Sequence, residues 1–179
     1  MALFRETADV SVRPATAEDE AAIARAQVRA WRASHGELLG TDVLERLDVM
    51  AVRRQWAEAI TAPPSARHRV MVACAGARVV GFAACAPVDD GVEVLALEVD
   101  PDHQRGGHGS RLLTACVDLG REDGASHLQT WVLDGDVARE QFLAGAGLGA
   151  DGARRELAVG PGPDGETRSV AEHRWVAEI

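Results

Sequence analysis

Apolar and polar positions first alternate and then change period along this chain. Val10-Ser11-Val12-Arg13 reads as an opening strand, and Pro14 to Asp19 carries a helix-start signal with Thr16 as N-cap and acidic residues behind it. Ile23, Ala26, Gln27, Ala30 and Trp31 recur at helical spacing, after which Gly36 and Gly40 loosen the chain. A second helix is predicted from Thr41 or Asp42 through Leu44, Leu47, Val52 and Trp56 toward Ala62, where Pro63-Pro64 ends it. From Val70 the period becomes that of strands. Val70–Cys74 and Val79–Ala84 are joined at Gly76 as in a hairpin, Asp89-Asp90-Gly91 makes another turn, and Val92–Val99 is a third strand closed by Pro101. Leu112, Leu113, Cys116, Val117 and Gly120 then form an apolar helical face with Gly124 as C-cap. His127–Leu133 is a strand, Asp136–Ala144 a short helix, and Glu156–Val159 with Val170–Val176 a final hairpin around Gly160–Gly165. The order is strand, two helices, three strands, helix, strand, helix, two strands: an α/β or α+β layered domain, a mixed sheet with helices on its faces. One domain over residues 1–179 is expected, with residues 1–8 flexible.

Between the third strand of the middle group and the helix behind it lies Gln104-Arg105-Gly106-Gly107-His108-Gly109-Ser110. A helix start leaves backbone N–H groups unpaired and its dipole favours anions, so this loop is suited to phosphate. Its glycines let the chain approach the oxygens closely, and Arg105 or Arg111 adds charge-assisted donors. A dinucleotide fingerprint requires glycine where Leu112 stands, and an NTPase loop requires a lysine that the chain lacks. What does match is Q-x-x-G-x-G, read as Gln104, Gly107 and Gly109, preceded by Leu97-Glu98-Val99-Asp100-Pro101.

On these residues the sequence resembles the GCN5-related N-acetyltransferase family. Val10–Ala15 is similar to the family's opening strand, and Ala30–Ser34 to part of its first helix. Asp136–Leu148 is similar to its N-x-x-A-x-x-F-Y-x-x-x-G-F segment. The resemblance implies a mostly antiparallel sheet in which two parallel strands, Val92–Val99 and His127–Leu133, splay apart to admit the pantetheine arm of acetyl-CoA. It further implies that the backbone of Leu97 and Val99 bonds the pantetheine. The amides of Arg105, Gly106, Gly107, His108, Gly109 and Ser110 would hold the pyrophosphate, Asp136 and Phe142 would complete the cofactor site, and an N–H near Val99 would polarise the thioester carbonyl. Two departures from the family pattern bear on the chemistry. Asp136 stands at an Asn and loses its amide donor, and Leu143 stands at the Tyr that protonates the departing thiolate. A thiolate with an ordinary pKa of about 8.5 can leave without a dedicated acid. Otherwise His35, Cys85 or a water supplies the proton.

An acyl acceptor must attack as a neutral amine, so a carboxylate base is needed. Glu93, on the strand leading to the thioester and at a position where many family members carry Glu, is the first candidate; a solvent-facing strand residue is its other reading. Glu98 is the second candidate. Strict alternation puts it on the opposite face, although a bulge near Leu97 would change that parity. Trp31 and His35 lie where the family's acceptor pocket is overhung and are assigned to substrate. Core packing is the default for Trp31, Trp56, Trp131 and Trp175, with Trp31 placed nearest the acceptor. Glu37, Asp42, Glu45 and Asp48, together with Asp89, Asp90 and Glu93, would select a cationic acceptor if they rimmed one pocket; scattered surface charge is the plainer reading.

The net charge of −9 disfavours a nucleic-acid surface. No window approaches the roughly 18 apolar residues of a membrane helix and the first residues are charged, so no membrane association and a cytoplasmic location are expected. Cys74, Cys85 and Cys116 are odd in number and sit in apolar stretches, which predicts buried thiols and no zinc; no other metal is expected. Apolar edge strands near the C-terminus are compatible with a homodimer.

Overall fold

The computed structural model describes residues 10–161 and 167–179. The expected flexible start over 1–8 and the middle of the expected turn Gly160–Gly165 lie outside them. Seven strands, β1 Val10–Pro14, β2 Arg69–Ala75, β3 Arg78–Val88, β4 Gly91–Val99, β5 His127–Leu133, β6 Gly149–Pro161 and β7 Thr167–Glu178, form one sheet in the order β1-β2-β3-β4-β5-β7-β6. All neighbours are antiparallel except β4 and β5. Helices α1 Glu20–Ser34, α2 Gly36–Leu39, α3 Thr41–Glu45 and α4 Val49–Thr61 precede the central strands, α5 His108–Glu122 follows β4, and α6 Val137–Gly145 follows β5.

Two apolar layers hold the sheet. On one face Ile23 and Ala26 of α1 meet Val72, Cys74 and Phe82, with Trp56 and Ile60 of α4 packed against them. Trp56 stands edge-on to Phe82, the ring centroids 4.8 Å apart, and its Nε1 donates to Gln27 Oε1 at 2.7 Å. On the other face Leu112, Leu113 and Cys116 of α5 bury against Val92, Val94, Leu97, Val99 and Leu128. Each such aliphatic side chain contributes about 1.5–3 kcal/mol when fully removed from water. Gly120 is required by this packing: a Cβ there would lie 2.7 Å from Val92 Cγ1 and 2.9 Å from Ile179 Cδ1.

Three expectations need correction. The predicted second helix is broken into α3 and α4, because Asp48 leaves the helical conformation and its Oδ1 accepts from the amides of Met50 and Ala51, restarting the helix. Strand β3 continues past Ala84 to Val88, since Ala86, Pro87 and Val88 pair with Glu93, Val92 and Gly91. The last two strands are likewise longer than their β-rich segments, running from Gly149 and to Glu178.

Candidate active site

The site begins with a bulge. Ala84 pairs with Ala96 but Cys85 pairs with Val94, so Leu95 is an extra residue in β4 and is 59% exposed. Val92, Val94, Leu97 and Val99 therefore all face α5, while Glu93, Ala96 and Glu98 share the opposite face. The two candidate bases, placed on opposite sides by strict alternation, lie on the same side of the sheet. The bulge sits two residues before the position considered from the sequence. It also coincides with the end of β4–β5 pairing, which comprises only Val92 with Leu128, Glu93 with Gln129 and Val94 with Thr130. Thr130 Oγ1 donates to the Val94 carbonyl at 2.9 Å and closes the paired segment. Beyond it the strands part, and a cavity of about 150 Å³ opens, lined by Leu95, Leu97, Glu98, Trp131 and Leu133 from the two strands.

One end of β4 leads to the glycine loop. Asp100 receives the Asp102 amide in a single 3-10 turn, Gln104 Nε2 donates to the Val99 carbonyl at 3.4 Å, and Gly107 caps α5 with a φ of 78°. A side chain at Gly107 would be strained by that φ and would meet the Arg111 guanidinium. Arg105, with a φ of 62°, holds a backbone conformation that non-glycine residues seldom adopt, as found where a loop is shaped for a ligand. The first intrahelical bond from this start is the Arg111 amide to the Gly107 carbonyl, leaving the amides of His108, Gly109 and Ser110 without helical acceptors. His108 is the first residue of α5 and is buried, and its burial, with His103 and Arg111 nearby, lowers its pKa. Phe142 of α6 lies beside Gly109, so the cofactor-site aromatic named from the sequence borders the loop.

Three polar side-chain pairs lie in or beside the cleft. Arg139 Nη1 donates to the Leu97 carbonyl at 2.6 Å and Nη2 to Glu98 Oε1 at 2.9 Å; Trp31 Nε1 donates to the same oxygen at 3.3 Å. His35 Nε2 lies 2.9 Å from Asp136 Oδ2. Arg155 Nε donates to Glu172 Oε2, and its guanidinium stacks 4.3 Å from the centroid of Trp131. Burial would raise the Asp136 carboxyl, but the His35 ring, the Arg139 amide on Oδ1 and their charges outweigh it and hold the group below its ordinary value.

Trp31, His35, Leu97, Glu98 and Asp136 are thus brought together in the cleft, with Leu143 in its wall. Glu93 is outside the lining, on the same sheet face one residue before the strands part, where it accepts from Gln129 Nε2. Cys85 is 2% exposed in the α5-side core and takes no part in the cleft. The acidic groups do not rim one pocket: none of Glu37, Asp42, Glu45 and Asp48 lines the cleft, and Asp89 and Asp90 border a separate hollow beside Gly120 and Asp123. Trp131 lines the cleft, contrary to its reading as core. Sequence reasoning missed Arg139, which stands at the alanine of the quoted N-x-x-A segment. That mismatch was the available signal.

Solved N-acetyltransferases share this fold. The PaiA N-acetyltransferase of Thermoplasma acidophilum, in complex with coenzyme A, superposes with a TM-score of 0.77 at 13% identity, over 95% of this chain and 99% of that one. The ribosomal-protein-S18-alanine N-acetyltransferase of Escherichia coli gives 0.64 at 17% identity, over 95% and 94%. YncA of Salmonella typhimurium, solved with its cofactor acetyl-CoA, gives 0.63 at 19% identity, over 95% and 94%. No curated protein sequence matches significantly. The chain belongs to the acetyltransferase (GNAT) family, whose sequence profile matches residues 21–147, and acetyl transfer is the general activity of that family.

Proposed function

We propose that this protein transfers the acetyl group of acetyl-CoA to a primary amine of a small molecule or peptide by direct attack within a ternary complex. The observation that carries the reading is the opening of β4 from β5 directly upstream of the glycine loop, which joins an unpaired strand edge to an anion-binding helix start. The cofactor fits this arrangement: amides from Arg105 to Ser110 hold the diphosphate, and the backbone of Leu97 and Val99 holds the pantetheine arm. An N–H near Val99 polarises the thioester carbonyl. Arg139 has to leave the Leu97 carbonyl as the arm enters. Glu93 takes the proton of the incoming amine, directly or through water. Glu98, the second candidate, is already engaged by Arg139 and Trp31, whereas the partner of Glu93 is the neutral amide of Gln129.

The test is calorimetry with acetyl-CoA followed by thiol release on a panel of polyamines, aminoglycosides and peptide N-termini. Saturable binding and turnover on a member of the panel are expected, and the alkaline rise in rate should flatten in Glu93→Gln. Absence of binding to the folded protein defeats the reading, and an unaltered pH profile removes Glu93 from the mechanism. Arg139 across the cleft and Leu143 in its wall favour one second reading, a coenzyme-A-binding regulatory module with little turnover, for which binding without thiol release is the signature. A cytoplasmic location belongs to the same proposal. So does a homodimer formed through the outer strand β6, where Leu157 is exposed.

A further inference from the structure

Among the described residues lining the cleft, His35 is the one imidazole. Glu98 and Glu172 are paired with Arg139 and Arg155, and the arginines stay protonated. The chain has no tyrosine, and Cys74, Cys85 and Cys116 are buried away from the cleft. His35 remains. It is 6% exposed, lines the cleft, and is positioned where α1 gives way to α2. Its Nε2 faces an ionised Asp136, which only accepts, so Nε2 carries a hydrogen and Nδ1 is the nitrogen that gains or loses a proton. Nδ1 is buried and has no hydrogen-bond partner, and a buried polar atom in that state calls for an explanation.

We propose that the His35–Asp136 pair is the proton donor to the departing sulfur of coenzyme A. This rests on the acetyl-transfer reading above. As the amine nitrogen bonds to the acetyl carbon, the carbon–sulfur bond breaks and its electron pair goes to sulfur. A proton of the protonated His35 imidazole passes to that sulfur, giving the free thiol. Asp136 compensates the ring charge before transfer, and His35 is recharged by the proton that the amine gives up through Glu93 or water. Amine and thioester become amide and thiol, with no other reactant. Asp136 and Leu143, two of the departures from the family segment, then have related consequences: position 143 supplies no hydroxyl, and the carboxylate orients an imidazole. The charged groups that line the cleft with His35 are Asp136 from the turn before α6, Glu98 on β4, Arg139 on α6 and Glu172 on β7. The last three belong to internally compensated pairs, so Asp136 sets the balance at the ring.

The test needs no acceptor. The thiol of coenzyme A bound to the protein is titrated by its thiolate ultraviolet absorbance in wild type, His35→Gln and Asp136→Asn, at coenzyme concentrations shown by calorimetry to saturate each. An imidazolium beside the sulfur favours the thiolate, so the bound thiol should titrate about one pKa unit or more lower in wild type than in His35→Gln, with Asp136→Asn recovering part of the difference. Should His35→Gln fail to fold, Asp136→Asn, which retains a capping oxygen for α6, decides alone. Equal titration in wild type and the folded variants overturns the proposal while leaving acetyl-CoA binding intact. Failure of wild type to bind coenzyme A overturns the acetyl-transfer reading as well.

Discussion

Asp19 and Arg13 form a two-pronged ion pair where β1 meets α1, at 2.6 and 2.9 Å, and the same carboxylate accepts the Thr16 amide. The hydrogen bond from Arg13 is the main cause of a carboxyl pKa lowered to about 2, burial opposing it. A depressed carboxyl stabilises the fold above its unfolded value near 3.8 and loses that contribution as pH falls toward about 2. At most about 2 kcal/mol is involved. In denaturant melts between roughly pH 5 and pH 2, the stability difference between wild type and Asp19→Asn should shrink as the solution is acidified; a constant difference would contradict the pairing. Arg139 acts instead on the cleft. Removing its guanidinium in Arg139→Ala frees the Leu97 carbonyl for a ligand amide, so acetyl-CoA should bind about tenfold more tightly, the equivalent of one net hydrogen bond. Weaker binding by calorimetry would make Arg139 a cofactor ligand in place of a competitor. Both residues were visible in the sequence, but a bidentate pair needs the fold to bring its members together. On a short helix a long basic side chain has the pattern of a solvated residue, so local sequence does not place Arg139 in the cleft.

Strand β4 shows how one residue reorganises an element. Leu95 is accommodated as a bulge, and its presence bends the strand away from β5 where pairing stops at Val94. Deleting Leu95 sets Val94 and Ala96 opposite Cys85 and Ala84 and keeps every remaining side chain on its present face. The straightened strand should continue to pair with β5 and close the cleft. Coenzyme A affinity is expected to fall more than about tenfold while the melting temperature holds or rises; unchanged affinity would show that the opening does not depend on the bulge. Period-2 alternation predicts a strand over Val92–Val99 and does so correctly. It does not reveal a bulge, because the extra residue is apolar like its neighbours. The glycine loop is different, since Gly107 at a φ of 78° and the helix start that follows are demands of local backbone that residue types announce.

Across the whole molecule, the proposed ligand bridges the α5 start, the parted strands and the α6 start, so binding should stabilise all of them together. At a coenzyme A concentration one hundred times Kd the stabilisation is about 2.7 kcal/mol, which for a chain of this size raises the melting temperature by about 5–10 °C. Adenosine diphosphate, lacking the arm, should give a smaller shift; equal shifts would mean that the cleft is not engaged. The order of the strands, the apolar faces of α1 and α5 and the glycine loop at the start of α5 were legible from residue types, because periodicity, turn chemistry and helix caps depend on neighbours a few positions apart. Tertiary packing alone decided the rest: the common face of Glu93 and Glu98, the separation of the acidic groups, the entry of Trp131 into the cleft, and the meeting of His35 with Asp136. Each depends on register or on contact between residues far apart in the chain, 101 positions apart for His35 and Asp136, and local pattern carries no information about such distances.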